Sequence, residues 1–248
     1  VPSTAQDILS ALLSLVFPTP CHGCRDLLDI HGRGAFCSRC WSAMERMPDR
    51  VCARCGWPFP QAASRGAEAP LCQRCRETRD QFQVARAALR YREGGMARAA
   101  ILLGKHGSRR SLIRHLARLL AEEAPLHLAL AEWDGLVPVP LHWMRRWQRG
   151  FNQAQVLAKA VGRRHGLPVV HGALRRIRPT PPQHGDPEAR RANVRDAFSV
   201  TVPRRVAGRR LVLVDDVFTT GATANACAKV LLGAGAAAVA VLTLARVE

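Results

Sequence analysis

Residues 211–223 read LVLVDDVFTTGAT. Leu211, Val212, Leu213 and Val214 fit a strand buried on both faces, because strands of a parallel sheet are covered on each side and carry no polar face. Two acids, Asp215 and Asp216, follow at its carboxyl end. Thr219, Thr220, Gly221, Ala222 and Thr223 then open a helix. Small residues let backbone N–H groups approach an anion closely, and a helix N-terminus adds partial positive charge. Threonine hydroxyls supply further donors. This combination suits a phosphomonoester. The two acids cannot face the phosphate themselves; their natural partners are sugar hydroxyls or a magnesium ion.

Outward from this loop, strands and helices alternate. Residues 84–91 and 135–139 read as strands, and so do 167–170 and 237–244. Residues 96–103, 111–121, 152–165 and 223–232 have helical patterning, with Leu112, Ile113, Leu116, Leu119 and Leu120 on one side of the second. Residues 187–196 fit a helix or a loop. Such alternation predicts an α/β fold, a parallel sheet flanked by helices. Ligands in such sheets bind beyond the carboxyl ends of the strands, which points to the loops after Val139 and Val214.

The N-terminal third is different. Eight of nine cysteines form four CxxC pairs: Cys21/Cys24, Cys37/Cys40, Cys52/Cys55 and Cys72/Cys75. A CxxC turn puts two thiolates on one side of the chain, so two turns close a tetrahedron around zinc. With no open position, such sites are structural, and they stabilise a segment whose core is too small to fold alone. The expected pairing is sequential, the first pair with the second and the third with the fourth; spacing leaves a cross-brace open. Disulfides are disfavoured, because no secretory signal is visible and a reducing cytosol keeps thiols free. Trp41, Trp57 and Phe59 read as ribbon core, with base stacking as the alternative. The expected division is a double zinc ribbon behind an N-terminal helix at 1–82 and the α/β domain at 83–248.

Residues 137–155 read VPVPLHWMRRWQRGFNQAQ. The acid pair with its TTG loop resembles the phosphoribosyl pyrophosphate (PRPP) signature of type I phosphoribosyltransferases. VPVP, RGFNQA and DDVFTTGAT behind the CxxC pairs together resemble the ComF family, which is associated with competence for DNA transformation. Arg175, Thr180, Pro182, Gln183, Arg190, Asn193 and Phe198 agree as well. The resemblance implies a type I phosphoribosyltransferase fold and PRPP bound with magnesium. It implies that Asp215 and Asp216 hold the ribose hydroxyls and that Thr219–Thr223 cradle the 5′-phosphate. It also implies a role in DNA uptake or nucleotide salvage, with single-stranded DNA and competence helicase or processing proteins as partners.

A PRPP enzyme must neutralise its pyrophosphate leaving group, chiefly by electrostatics. Arg149 and Asn152, in the loop after Val139 with Arg145 and Arg146, are the expected residues on that side. By resemblance, 175–195 forms a hood over substrate, with Arg178, Gln183 and Arg190 as ligands. Lys105 and His106 read as a positive cap on a helix C-terminus, with phosphate contact as the alternative. No histidine among His142, His165, His171 and His184 stands out as a base. Cys227 reads as a small buried residue.

Composition bounds the rest. The chain has 248 residues and a net charge of +18, of which 141–210 supply +13. Such an excess favours anionic partners: nucleic acid, nucleotide or sugar phosphate. A non-catalytic module that binds single-stranded nucleic acid is the alternative to an enzyme. The apolar run from Ile8 to Phe17 is well short of the roughly 20 residues that span a bilayer. It lacks a basic lead and a cleavage site, and reads as a short amphipathic helix of a cytoplasmic protein without membrane insertion.

Overall fold

The structure, a computed structural model, describes residues 20–28, 35–59, 70–105, 110–141, 147, 150–178 and 197–248. The expected N-terminal helix at 8–17 and the segment 187–196 lie outside them.

The ribbons come first. Pro20 bridges Leu27 around the first CxxC turn, and Val51 bridges Pro58 around the third. The second and fourth turns open one-and-a-half-turn helices, α1 (Ser38–Ser42) and α2 (Gln73–Glu77), each preceded by a cysteine. The α/β part follows as β1 (Val84–Tyr91), α3 (Met96–Gly104), α4 (Arg110–His127), β2 (Gly135–Pro138) and α5 (Gln153–His165). It continues as β3 (Leu174–Arg176), β4 (Phe198–Val200), β5 (Arg210–Phe218), α6 (Ala222–Gly233) and β6 (Ala238–Val247).

The main sheet has the order β1-β6-β5-β2 and is parallel throughout. Its two central strands are the apolar ones, since both faces are covered. Leu211 and Leu213 pack with α6 residues Cys227, Ala228 and Leu231 on one face. Val212 and Val214 pack with α4 and α5 residues such as Leu116, Leu120 and Leu157 on the other. The period-2 alternation of a strand thus builds two cores from one tetrapeptide.

Two expectations change in detail. Residues 167–170 contribute a single bridge, Val169 to Leu136, rather than a strand. The strand expected at 211–214 runs on to Phe218, because β6 continues beside it and pairs Asp215 with Thr243, Val217 with Ala245 and Phe218 with Arg246. The acid pair therefore lies inside the strand. The antiparallel hairpin β3–β4 was not expected.

The ribbons fence the β1 edge. Met47 donates to the Ala88 carbonyl at 2.9 Å, and Arg90 donates to the Glu45 carbonyl at 2.9 Å. Ala85 donates to the Arg54 carbonyl at 2.6 Å. An open edge strand presents unpaired N–H and C=O groups to any passing strand, and here ribbon backbone takes them up. Gly56 permits this approach. Its φ is +69°, and a Cβ there would sit 2.7 Å from the Ala85 carbonyl oxygen. Phe36, Trp41 and Met44 of the first ribbon share the α4 core with Leu112 and Leu116.

Candidate functional site

A crevice opens where β2 and β5 part. Pairing between them ends at Pro138–Val214, closed by Val139 N–H to the Val214 carbonyl at 2.9 Å. The chain leaves β2 for α5 on one face and leaves β5 for α6 on the other. Loops that diverge from adjacent strands leave a cleft at the carboxyl edge. Asp215 and Asp216 lie just past this parting point, half-buried.

Their electrostatics are unbalanced. Asp215 Oδ1 accepts the Asp216 N–H at 2.9 Å, and Lys105 Nζ lies 3.2 Å from Asp216 Oδ2. Burial, and next the neighbouring Asp216 charge, push the Asp215 carboxyl up to about 8. Two carboxylates this close resist full ionisation unless a cation or hydroxyl donors come to them. Cys227, buried in α6, is pushed up by burial and then by Asp215, while Arg176 opposes that rise. Arg176 falls within the 175–195 segment expected as a hood, but it lies in β3 of the unforeseen hairpin.

The turn after β5 has the geometry its residues predict. Gly221 caps α6 with φ +78°, and a Cβ there would stand 2.7 Å from Phe218 Cζ. Ala222 N–H reaches the Thr220 hydroxyl at 3.4 Å. Thr219, Thr220 and Thr223 are half-buried. The first N–H groups of α6 have no intrahelical acceptor and face the helix entrance. An acid pair beside an amide-lined turn has the chemistry to hold hydroxyls and an anion on one molecule.

Behind the turn stands a residue that no sequence motif singles out. Arg74, between the zinc-ligand positions Cys72 and Cys75, donates to the Thr220 carbonyl and pairs with Asp80. Asn225 of α6 also ties to this segment, its Oδ1 accepting the Gln81 N–H at 2.6 Å. Arg74 and Thr220 lie 146 residues apart.

Asn152 is buried at the N-cap of α5. Its Oδ1 accepts the Ala154 N–H at 3.1 Å and its Nδ2 donates to the Val139 carbonyl at 3.0 Å. It thereby ties the end of β2 to the next helix. Lys105 is the C-cap of α3, as expected of a positive cap, and is also the partner of Asp216. Arg178 is exposed. Arg145, Arg146, Arg149, Gln183, Arg190, His106, His142 and His184 lie outside the described residues.

The cysteines gather in two sets, Cys21 with Cys24, Cys37 and Cys40, and Cys52 with Cys55, Cys72 and Cys75. The pairing is sequential. Within each set all sulfurs lie within 4.8 Å of one another. Cys24 and Cys37 sulfurs are 3.7 Å apart, and Cys55 and Cys72 sulfurs 3.6 Å. Zn–S bonds of about 2.3 Å in a tetrahedron put sulfurs about 3.8 Å apart, whereas a disulfide needs about 2.05 Å. Backbone N–H groups support the sulfurs: Gly23 and Cys37 donate to Cys21 at 3.3 Å, and Cys72 donates to Cys52 at 3.3 Å. A hydrogen bond from Cys55 pulls the Cys52 thiol down to about 3, and the same contact drives Cys55 up. Four sulfurs so placed ionise together only around a cation, and each set fits one structural zinc ion.

Comparison with known proteins agrees. Residues 12–76 match the double zinc ribbon domain. Over 138 residues the chain is 38% identical to Competence protein F of Haemophilus influenzae, spanning 54% of this chain and 60% of that protein. Over 238 residues it is 35% identical to DNA utilization protein YhgH of Escherichia coli K12, spanning 94% of this chain and 99% of that one. The chain belongs to the ComF family.

As a ComF protein it joins a double zinc ribbon to a parallel α/β domain, and its relatives carry names of competence and DNA utilization. Among solved structures, the glutamine PRPP amidotransferase from B. subtilis complexed with ADP and GMP aligns over 53% of this chain and 25% of that one. Its identity is 26% and its TM-score 0.36, a likeness that carries no weight for the fold. No helix among the described residues of this ComF chain is long and apolar enough to cross a membrane.

Proposed function

We propose that this ComF-family chain binds a 5-phosphoribosyl group, as PRPP with magnesium, and transfers it or handles it in DNA uptake or nucleotide salvage. The observation that carries this reading is the acid pair in β5, freed of β2 past Val214 and followed by the left-handed Gly221 turn into α6. In this reading Asp215 and Asp216 accept from the ribose 2′- and 3′-hydroxyls. Thr219, Thr220, Gly221, Ala222 and Thr223 receive the 5′-phosphate on backbone N–H groups and hydroxyls. Magnesium supplies charge neutralisation for pyrophosphate, and Arg149, which the sequence assigns to that side, adds to it. The reaction is substitution at the anomeric carbon: a nitrogen nucleophile of the acceptor forms the new bond as the bond to pyrophosphate breaks.

Calorimetric titration with PRPP and magnesium tests the reading. Wild type should bind, and the Asp215→Ala/Asp216→Ala protein should not. No heat with wild type, or equal binding by both proteins, sinks it.

A second reading is a module for single-stranded nucleic acid. It rests on charge and relatives' names. Arg110, Arg114 and Arg118 are exposed one turn apart along α4, and Lys159 and Arg163 are exposed on α5, which packs beside it. Such phosphate contacts make log affinity fall with log salt. A flat salt response of oligonucleotide binding would remove this reading and leave the first untouched.

A further inference from the structure

We propose that the second ribbon is a working part of the phosphoribosyl site, with Arg74 as a positioning residue that sets the direction of the Thr220–Gly221 peptide. The proposal rests on the phosphate reading of the 219–223 turn. Its physical basis is the geometry of one peptide unit. In a trans peptide the C=O and the following N–H point in opposite directions. No cis peptide occurs in the described residues. Arg74 holds the Thr220 carbonyl. The Gly221 N–H is thereby aimed away from Arg74.

A glycine at this place makes the clamp necessary. Gly221 populates positive and negative φ with similar ease, so the peptide before it can turn over at little cost. Turned over, it would point a carbonyl oxygen where a phosphate oxygen must sit. A guanidinium on the carbonyl opposes that turn, and it also polarises the peptide so that the N–H becomes a stronger donor.

Arg74 in turn is held by the ribbon. It lies in α2 between Cys72 and Cys75, so two sulfur ligands of one cluster fix its backbone. Asp80 takes the other side of its guanidinium. The cluster is fastened to the sheet by two more arginines. Buried Arg246 of β6 donates to the Cys55 carbonyl at 2.6 Å and approaches its sulfur at 3.6 Å, while its guanidinium lies 4.7 Å from the Phe218 ring. Arg86 of β1 donates to the Ala53 carbonyl at 3.0 Å. Zinc with four thiolates carries two net negative charges, which these three cations face. Occupancy of the second cluster and affinity of the turn are therefore linked, and linkage is reciprocal.

Four full-length proteins decide the matter: wild type, Arg74→Met, Arg74→Lys and Asp80→Asn. Each is titrated with ribose 5-phosphate and, separately, with magnesium pyrophosphate, after zinc content is measured. With both zinc ions retained, Arg74→Met should lose about tenfold or more in ribose 5-phosphate affinity, the size of one charge-assisted hydrogen bond, and none for pyrophosphate. Arg74→Lys should recover part of the loss, and Asp80→Asn should fall between. Saturating ribose 5-phosphate should tighten zinc at the second cluster of wild type, measured by competition with a chromogenic chelator, and should not do so in Arg74→Met. If Arg74→Met fails to fold, the Asp80→Asn titration and the wild-type chelator competition still decide. Wild-type affinity in the zinc-replete variants, or no effect of ribose 5-phosphate on zinc retention, overturns the proposal while leaving the phosphate reading intact. Failure of wild type to bind ribose 5-phosphate at all overturns both.

Discussion

Lys105 at the C-cap of α3 reaches Asp216 in β5, Nζ to Oδ2 3.2 Å, and so places one cation against a pair of adjacent carboxylates. One positive charge does not balance two negative ones in a half-buried cleft. Burial and the Asp216 charge raise Asp215 to about 8, above the roughly 3.9 of an unfolded chain.

The sign of the pH effect follows. A raised folded pKa means that the native state binds the extra proton, so its contribution to stability is complete below the unfolded value and is lost as pH rises toward about 8. Chemical denaturation between pH 5 and pH 8.5 should show stability declining over that span. Asp215→Asn should flatten the decline, and Lys105→Met should deepen it by removing the cation. An unchanged slope in Asp215→Asn would show that other groups set it.

The same Asp215→Asn protein should be more stable than wild type at pH 8 yet bind PRPP with magnesium about 10-fold or more weakly, since it loses a charge-assisted acceptor. Thermal melting and calorimetry on one preparation measure both. A gain in stability with full affinity would separate the carboxylate from ligand binding.

Gly221→Ala brings a Cβ to 2.7 Å from Phe218 Cζ at φ +78°. Strain of this kind costs about 1–3 kcal/mol. Urea melts should show that loss while zinc content stays at wild-type level, because the turn supplies no zinc ligand.

Asn152 separates two roles by substitution. Asn152→Asp keeps the acceptor for Ala154 N–H but loses the donor to Val139; Asn152→Ala loses both. Loss of such a cap costs about 1 kcal/mol. Thermal melts should rank wild type above either variant, and Asn152→Asp carries the added cost of a buried carboxylate oxygen set against the Val139 carbonyl.

Sequential pairing predicts two independent zinc ions. Cys37→Ser should remove one ion and Cys52→Ser the other, each leaving about one zinc per chain by elemental analysis. The Cys21→Ser/Cys37→Ser double variant should also keep about one zinc, whereas a cross-brace, in which those two cysteines serve different ions, would leave none.

Much of this architecture is legible in the chain because it is local. CxxC turns, the LVLV tetrapeptide and the helix after TTG each carry their instruction within a few residues. What escaped reading depends on distant partners. Acids are poor strand formers, so the sequence stops the strand at Val214, and only the ladder from β6 extends it to Phe218. Strands of three residues, such as Leu174–Arg176 and Phe198–Val200, carry too little pattern to be recognised. Arg74 looks like any basic residue between two cysteines; its partner at Thr220 becomes visible only when the ribbon folds against the turn.

The backbone bonds from residues 45, 47 and 54 to β1 bear on how such a chain can be cut and kept. A shortened protein that begins at Val84 would carry a polymerisable rim along Val84–Tyr91, open to the same rim on a second copy. Zinc starvation would reach a similar end by another route, loosening the guard without removing it. Deprivation of the metal would therefore surface as insolubility.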